Sequence, residues 1–228
     1  MSTSTQNQNL FSARESDPIE MGWMQSFPPL DEKILSAGDG SFFEFPALRY
    51  SVVHMREFLP TVNVSRGLDA PVPLEYALDD AIDSITFLPW DANESMSWEE
   101  SLWQNYTDGI LILHRGKVVY ERYFAALSAE KKHAAMSVTK SFTGTLGAML
   151  LAEGLLDEEK LVIEYVPELE HSALADATVR QVMDMTTALK YSENYADPNA
   201  EVWQYSAAGS PLPKPADYEG PDGYFEYL

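Results

Sequence analysis

The 228 residues carry 36 acidic against 15 basic side chains, a net charge of −21, with 45% apolar residues and no cysteine. That charge repels phosphate backbones and anionic lipid, so nucleic acid and membrane surfaces are poor partners, while the apolar fraction is that of a globular protein with a core. Disulfides, thiolate metal sites and a cysteine nucleophile are excluded, and no apolar run approaches the roughly 18 residues needed to span a bilayer.

The opening stretch MSTSTQNQNLFSARESDPIE is polar and has no basic segment followed by an apolar one. It is expected to be a mobile arm over residues 1–20, and the protein is expected to be cytoplasmic. Residues 21–104 alternate aromatics with proline, glycine and acids. They predict short elements with long connections, a region that packs on a catalytic domain spanning 105–228.

The pattern sharpens at GILILHRGKVVYERYF. Two β-rich runs, Ile110 to Leu113 and Val118 to Phe124, flank His114-Arg115-Gly116-Lys117, and the glycine suits a tight hairpin turn. The run HAAMSVTKSFTGTLGAMLLAEG follows. Val138, Phe142, Leu146, Met149 and Leu150 recur at three- to four-residue spacing, which predicts a helix with one buried face, ended by Gly154. Pro167 forbids helix through YVPEL, and Thr178-Val-Arg-Gln181 fits a capping box opening a second helix that runs to about Met185.

At the start of the first helix, Ser137 and Lys140 stand three apart, on one helical face with Cβ atoms roughly 5–6 Å apart. A serine hydroxyl becomes a nucleophile when a base takes its proton, and a lysine serves as that base if burial and neighbouring charge favour its neutral form. Unpaired first-turn amides and the helix dipole would stabilise an oxyanion there. The competing reading makes Ser137 an N-cap or first-turn serine and Lys140 a snorkelling edge residue. The four-residue pattern alone has little weight, because Ser128-Ala-Glu-Lys131 matches it too. That copy lies in a charged stretch and reads as a solvated turn.

The run MSVTKSFTGTLGAMLLAEGLLD, with GILILHRGKVVYERYF before it and YVPEL, TVRQVMDM and YSENYADPNAEV after it, resembles the penicillin-recognising serine hydrolases. These include class C β-lactamases, D-alanyl-D-alanine carboxypeptidases and related esterases, and the likeness is greatest to the nylon-oligomer hydrolases among them. The resemblance implies an α/β (α+β) fold of the β-lactamase/transpeptidase kind, with an antiparallel sheet flanked by helices plus a helical domain. It implies that Ser137 is the acylated nucleophile, Lys140 its proton acceptor, and the Ser137 N–H half of an oxyanion hole. It also implies that Tyr195 closes over substrate and bonds the scissile nitrogen. The competing reading of Tyr195 is an exposed loop aromatic beside the turn at Asp197-Pro198.

Two departures bear on substrate and completeness. The aspartate that holds the amino end of substrate in the nylon-oligomer hydrolases falls on Ser206. The family's Tyr-x-Asn is not met by Tyr195-Ala-Asp197 or Tyr205-Ser-Ala207, and no Lys-Thr-Gly or His-Thr-Gly strand follows Ser210. The expectation is therefore the N-terminal part of a serine hydrolase of small amides or esters, inactive as 228 residues, or else a catalytically silent member serving in binding or assembly.

No cofactor and no metal are expected. His54, His114, His133 and His171 lack zinc-site spacing, and no glycine-rich phosphate cradle or Gly-x-Ser-x-Gly occurs. The partner expected is a small-molecule amide or ester substrate, with neither nucleic acid nor membrane; a homodimer is left open.

Overall fold

The computed structural model describes residues 11–90, 92–210, 214 and 216–228. The chain divides into two compact units between Ala134 and Ala135. The fold is mixed α/β, with small sheets and helices. No helix among the described residues is long and apolar enough to cross a membrane.

The arm expected over residues 1–20 lies outside the described residues up to residue 10, and beyond that point it is packed. Ala13, Ser16 and Pro18 are buried. The Asp17 carboxylate accepts from the Ile19 N–H to start α1 (Pro18–Met21), which Gly22 ends in the left-handed conformation. Those buried residues are held by a side chain the sequence pattern did not mark, Arg49 of α2 (Leu48–Ser51). Its guanidinium donates to the Ala13 carbonyl and to Ser16 Oγ, and reaches Asp108 Oδ1 at 2.9 Å.

The long connection after α2 leads to the two-residue strand β1 (Glu75–Tyr76). A ribbon of β2 (Thr86–Phe87) and β3 (Met96–Ser97) then runs directly into α3 (Trp98–Gln104). A capping box starts α3: Ser97 Oγ accepts from the Glu100 N–H, and the Glu100 carboxylate accepts from the Ser97 N–H.

The expected hairpin is β4 (Gly109–His114) and β5 (Lys117–Tyr123), paired antiparallel from Gly109↔Tyr123 to His114↔Lys117. Its two-residue turn places Arg115 at φ 51° and Gly116 at φ 79°. Both angles are positive, as a turn matched to the right-handed strand twist requires, and glycine meets that need without a Cβ penalty. β1 adds a short parallel partner to β5, giving the order β1-β5-β4. One face of the hairpin forms the core: Tyr120 and Phe124 pack with Leu102, Trp98, Trp103, Ile110 and Ile112. Trp103 meets Phe124 edge to face at 5.1 Å.

The second unit opens with a 3₁₀ turn over Met136–Val138 that feeds α4 (Thr139–Ala152). Gly154, at φ 70°, ends α4 in a Schellman closure: its N–H reaches the Leu151 carbonyl and the Leu155 N–H reaches Leu150. α5 (Val179–Met183) begins with the expected Thr178/Gln181 capping box. α6 (Glu201–Ala208) and α7 (Tyr224–Tyr227) follow, joined by stacking of Tyr205 on Tyr224 at 4.4 Å.

One expectation about α4 is corrected. Its apolar stripe forms with the expected spacing but is not buried: Phe142 is 69% exposed, and Val138, Leu146, Met149 and Leu150 are also exposed. Within α4, Gly147 faces the Met183 methyl of α5 and Gly144 faces open space. The periodicity marks the face that burial would favour, but it does not supply the covering surface.

Arg49 is 6% exposed and Asp108 12%. Removing the carboxylate leaves a desolvated guanidinium without its counter-charge. Asp108→Ala is expected to destabilise the first unit by about 3–5 kcal/mol, read as a lower urea midpoint with an unchanged slope.

Candidate active site

Ser137 and Lys140 are brought together. Lys140 Nζ lies 3.1 Å from Ser137 Oγ, within hydrogen-bond distance, across one turn at the start of α4. The helix itself supplies this approach, because positions three apart share a face. Ser137 is not an N-cap: it sits in the 3₁₀ turn ahead of α4, whose cap position is Val138 and makes no side-chain cap bond. Both side chains are exposed.

The residue before the serine has a conformation that its type did not signal. Met136 stands at φ 45°, a left-handed backbone that costs a side-chain-bearing residue of the order of 1 kcal/mol or more. It turns the chain sharply into the segment carrying Ser137.

The second pattern match separates clearly from the first. The Ser128 carbonyl accepts from the Lys131 N–H in a turn, and Lys131 Nζ is held by the Ala126 carbonyl. Lys131 is thus a loop tie.

Tyr195 lies on the loop leading to α6 and is 63% exposed. Its ring meets Trp203 edge to face at 5.8 Å. The loop is shaped by side chains: Asn194 Oδ1 accepts from the Ala196 N–H, Asp197 Oδ1 from the Asn199 N–H, and the Asp197 carbonyl from Trp203 Nε1. Among the described residues no hydrogen bond joins Tyr195 to Ser137 or Lys140. Ser206 is exposed on α6. Nearby, Tyr191 packs edge to face on Tyr205. Burial, then the charge of Glu193, pushes the Tyr191 phenol up to about 12, and burial also raises Tyr205. Both are neutral donors at physiological pH.

A family model described as Beta-lactamase matches residues 98–227, more than half of the chain, and takes in the hairpin, Ser137, Lys140 and Tyr195. The chain belongs to the Beta-lactamase family. It is similar to the 6-aminohexanoate-dimer hydrolase of Paenarthrobacter ureafaciens, with 37% identity over 163 residues, 71% of this chain and 39% of that protein. A solved structure from Bacillus anthracis, provisionally named a 6-aminohexanoate-dimer hydrolase, superposes with a TM-score of 0.70 at 30% identity. That match covers 81% of this chain and 48% of the other. The matched segments thus cover less than half the length of either relative.

Proposed function

We propose that this Beta-lactamase family chain carries the nucleophile of a serine hydrolase that cleaves a small amide or ester through an acyl-enzyme. The observation that carries the proposal is the 3.1 Å approach of Lys140 Nζ to Ser137 Oγ. In acylation, the unprotonated Lys140 amine takes the Ser137 hydroxyl proton as Oγ forms a bond to the substrate carbonyl carbon. The tetrahedral intermediate then collapses, and the amine or alcohol leaves with a proton returned to it. In deacylation, water adds to the acyl carbon, the ester bond to Oγ breaks, and Ser137 regains its proton. Tyr195 is assigned to the leaving group, where a phenol can donate to the departing nitrogen. The names of both relatives support a linear amide as substrate class, while serine at position 206 leaves the amino end of such a substrate without a carboxylate there.

A second reading, a catalytically silent member used in binding or assembly, draws on the bare face of α4. Labelling separates the two. In the product as the native gene encodes it, a fluorophosphonate or penicillin-type probe is expected to add at Ser137, located by peptide mapping. Adducts at Ser128, or undiminished labelling of Ser137→Ala, would remove the hydrolase reading.

Lys140→Met is expected to slow acylation by roughly 10²–10⁴-fold, the range of one positioned base, with the far-ultraviolet spectrum unchanged. Pre-steady-state acylation rates give the comparison.

The 228-residue chain alone is expected to be inactive, because Ser137 and Lys140 are both open to water and a lysine base needs a desolvated setting. Turnover of p-nitrophenyl esters and of the 6-aminohexanoate dimer should stay at background. Ser137-dependent turnover by this chain would show that the site is already complete within it.

A further inference from the structure

In the first unit, His133 has each ring nitrogen opposite an acceptor. Nε2 lies 3.2 Å from Asp108 Oδ2, and Nδ1 lies 2.9 Å from the Ala134 carbonyl oxygen. A carbonyl accepts only. The Asp108 carboxylate, ion-paired through its other oxygen to the buried Arg49 guanidinium, also accepts only. A neutral imidazole has one N–H and can make one of these bonds. The imidazolium has two and makes both.

The backbone here is tied as well. The Ala134 N–H donates to the Val52 carbonyl at 2.7 Å, one residue beyond α2. Ala134 is therefore held at its N–H by Val52 and at its carbonyl by His133, and Ser137 follows three residues later in sequence. We propose that His133, clamped between the Asp108 carboxylate and the Ala134 carbonyl, is a protonation-dependent positioning residue for the chain that leads into the Ser137 turn. When the ring loses a proton, a nitrogen lone pair faces an oxygen lone pair at one end of the clamp, and that end releases.

The other groups around the ring leave this logic in place. Arg49 of α2 is committed to Asp108, Ala13 and Ser16. Tyr106 and Tyr123 share with His133 the hollow alongside β4. Lys131 is held by the Ala126 carbonyl, and Lys132 points to Asn63. The ring is 40% exposed. The apolar hollow on the Arg49 side, of about 380 Å³, is walled by Phe45, Leu48 and Val52 together with Arg49, Tyr106 and Asp108.

The bearing of the clamp on catalysis rests on Ser137 being the nucleophile, but the clamp itself does not. Its test is a titration of the full 228-residue chain. Histidine-selective ¹⁵N labelling gives only four imidazoles to resolve, and amide exchange at Ala134 is followed through the same pH range. Expected are two protonated ring nitrogens on His133 at the acid end. Ala134 protection, corrected for the intrinsic rate, should then fall by roughly tenfold or more as the ring deprotonates, the effect of one hydrogen bond to a charged group. His133→Gln, uncharged at every pH, should abolish the step, and Asp108→Asn should shrink it. Protection of Ala134 that ignores the titration of His133, or a ring neutral at the acid end of the range, would overturn the clamp. The wild-type titration decides even if a variant does not fold. A pH step at Ala134 with no acyl adduct at Ser137 would keep the clamp and discard the catalytic reading.

Discussion

The first unit depends on a single buried charge. The Arg49 guanidinium reaches Ala13 and Ser16 near the start of the described chain and Asp108 at the entry to β4, and it lies 5.6 Å from the centre of the Tyr106 ring. Its Nε has no partner among the described residues. Burying a guanidinium costs several kcal/mol of hydration, so it is stable only where the counter-charge and acceptors are fixed beforehand. This makes the cluster a constraint on the whole unit. Segments separated by 36 and 59 residues must meet correctly for any of the bonds to form. Outside the β4–β5 hairpin, the two-residue strands and long connections leave little ladder to define register. A polar hub supplies definition that the short sheets do not.

The apolar core beside that hub is small and aromatic. Trp98 meets Tyr120, and Trp103 meets Phe124, edge to face, and Arg14 lies over the Trp103 ring at 3.9 Å. Thus the segment expected to be a loose arm is fastened twice, by the Arg49 bonds to Ala13 and Ser16 and by its own arginine on the core. The second unit is built on a different principle. Its helices are started and ended by local chemistry, the Thr178/Gln181 box and the Gly154 closure, while the apolar stripe of α4 stays open. Local terms of this kind set where a helix begins and stops without deciding what it packs against.

Legibility in the sequence followed the same division. The hairpin, α4 and α5 could be read because each is specified within a few residues: glycine at a positive-φ turn, apolar spacing of three and four, threonine three before glutamine. The Ser97/Glu100 box of α3 uses the same chemistry and was legible in principle, but the surrounding proline and aromatics hid the short helix behind it. β1 was not legible, since its two residues are strand only by pairing with Lys117 and Val118 about forty positions on. Within the candidate site, Ser137 and Lys140 were readable because helical periodicity alone brings them together. No spacing rule joins Arg49 to Asp108 or His133 to either, and Met136 carries no mark of its left-handed backbone.

These two kinds of information meet at the seven residues from Ala134 to Lys140. Upstream, Ala134 is fastened by a bond to Val52 that only the tertiary structure provides. Downstream, the Ser137–Lys140 approach is local, spanning the 3₁₀ turn and the first turn of α4. Between them lie Ala135 and Met136, and the change of direction falls on Met136 at positive φ. A strained residue persists only where its neighbours leave it no relaxed alternative. Here the chain on one side is held through Ala134 by its bonds to Val52 and His133, and on the other by the 3₁₀ turn in which the Val138 N–H reaches the Ala135 carbonyl.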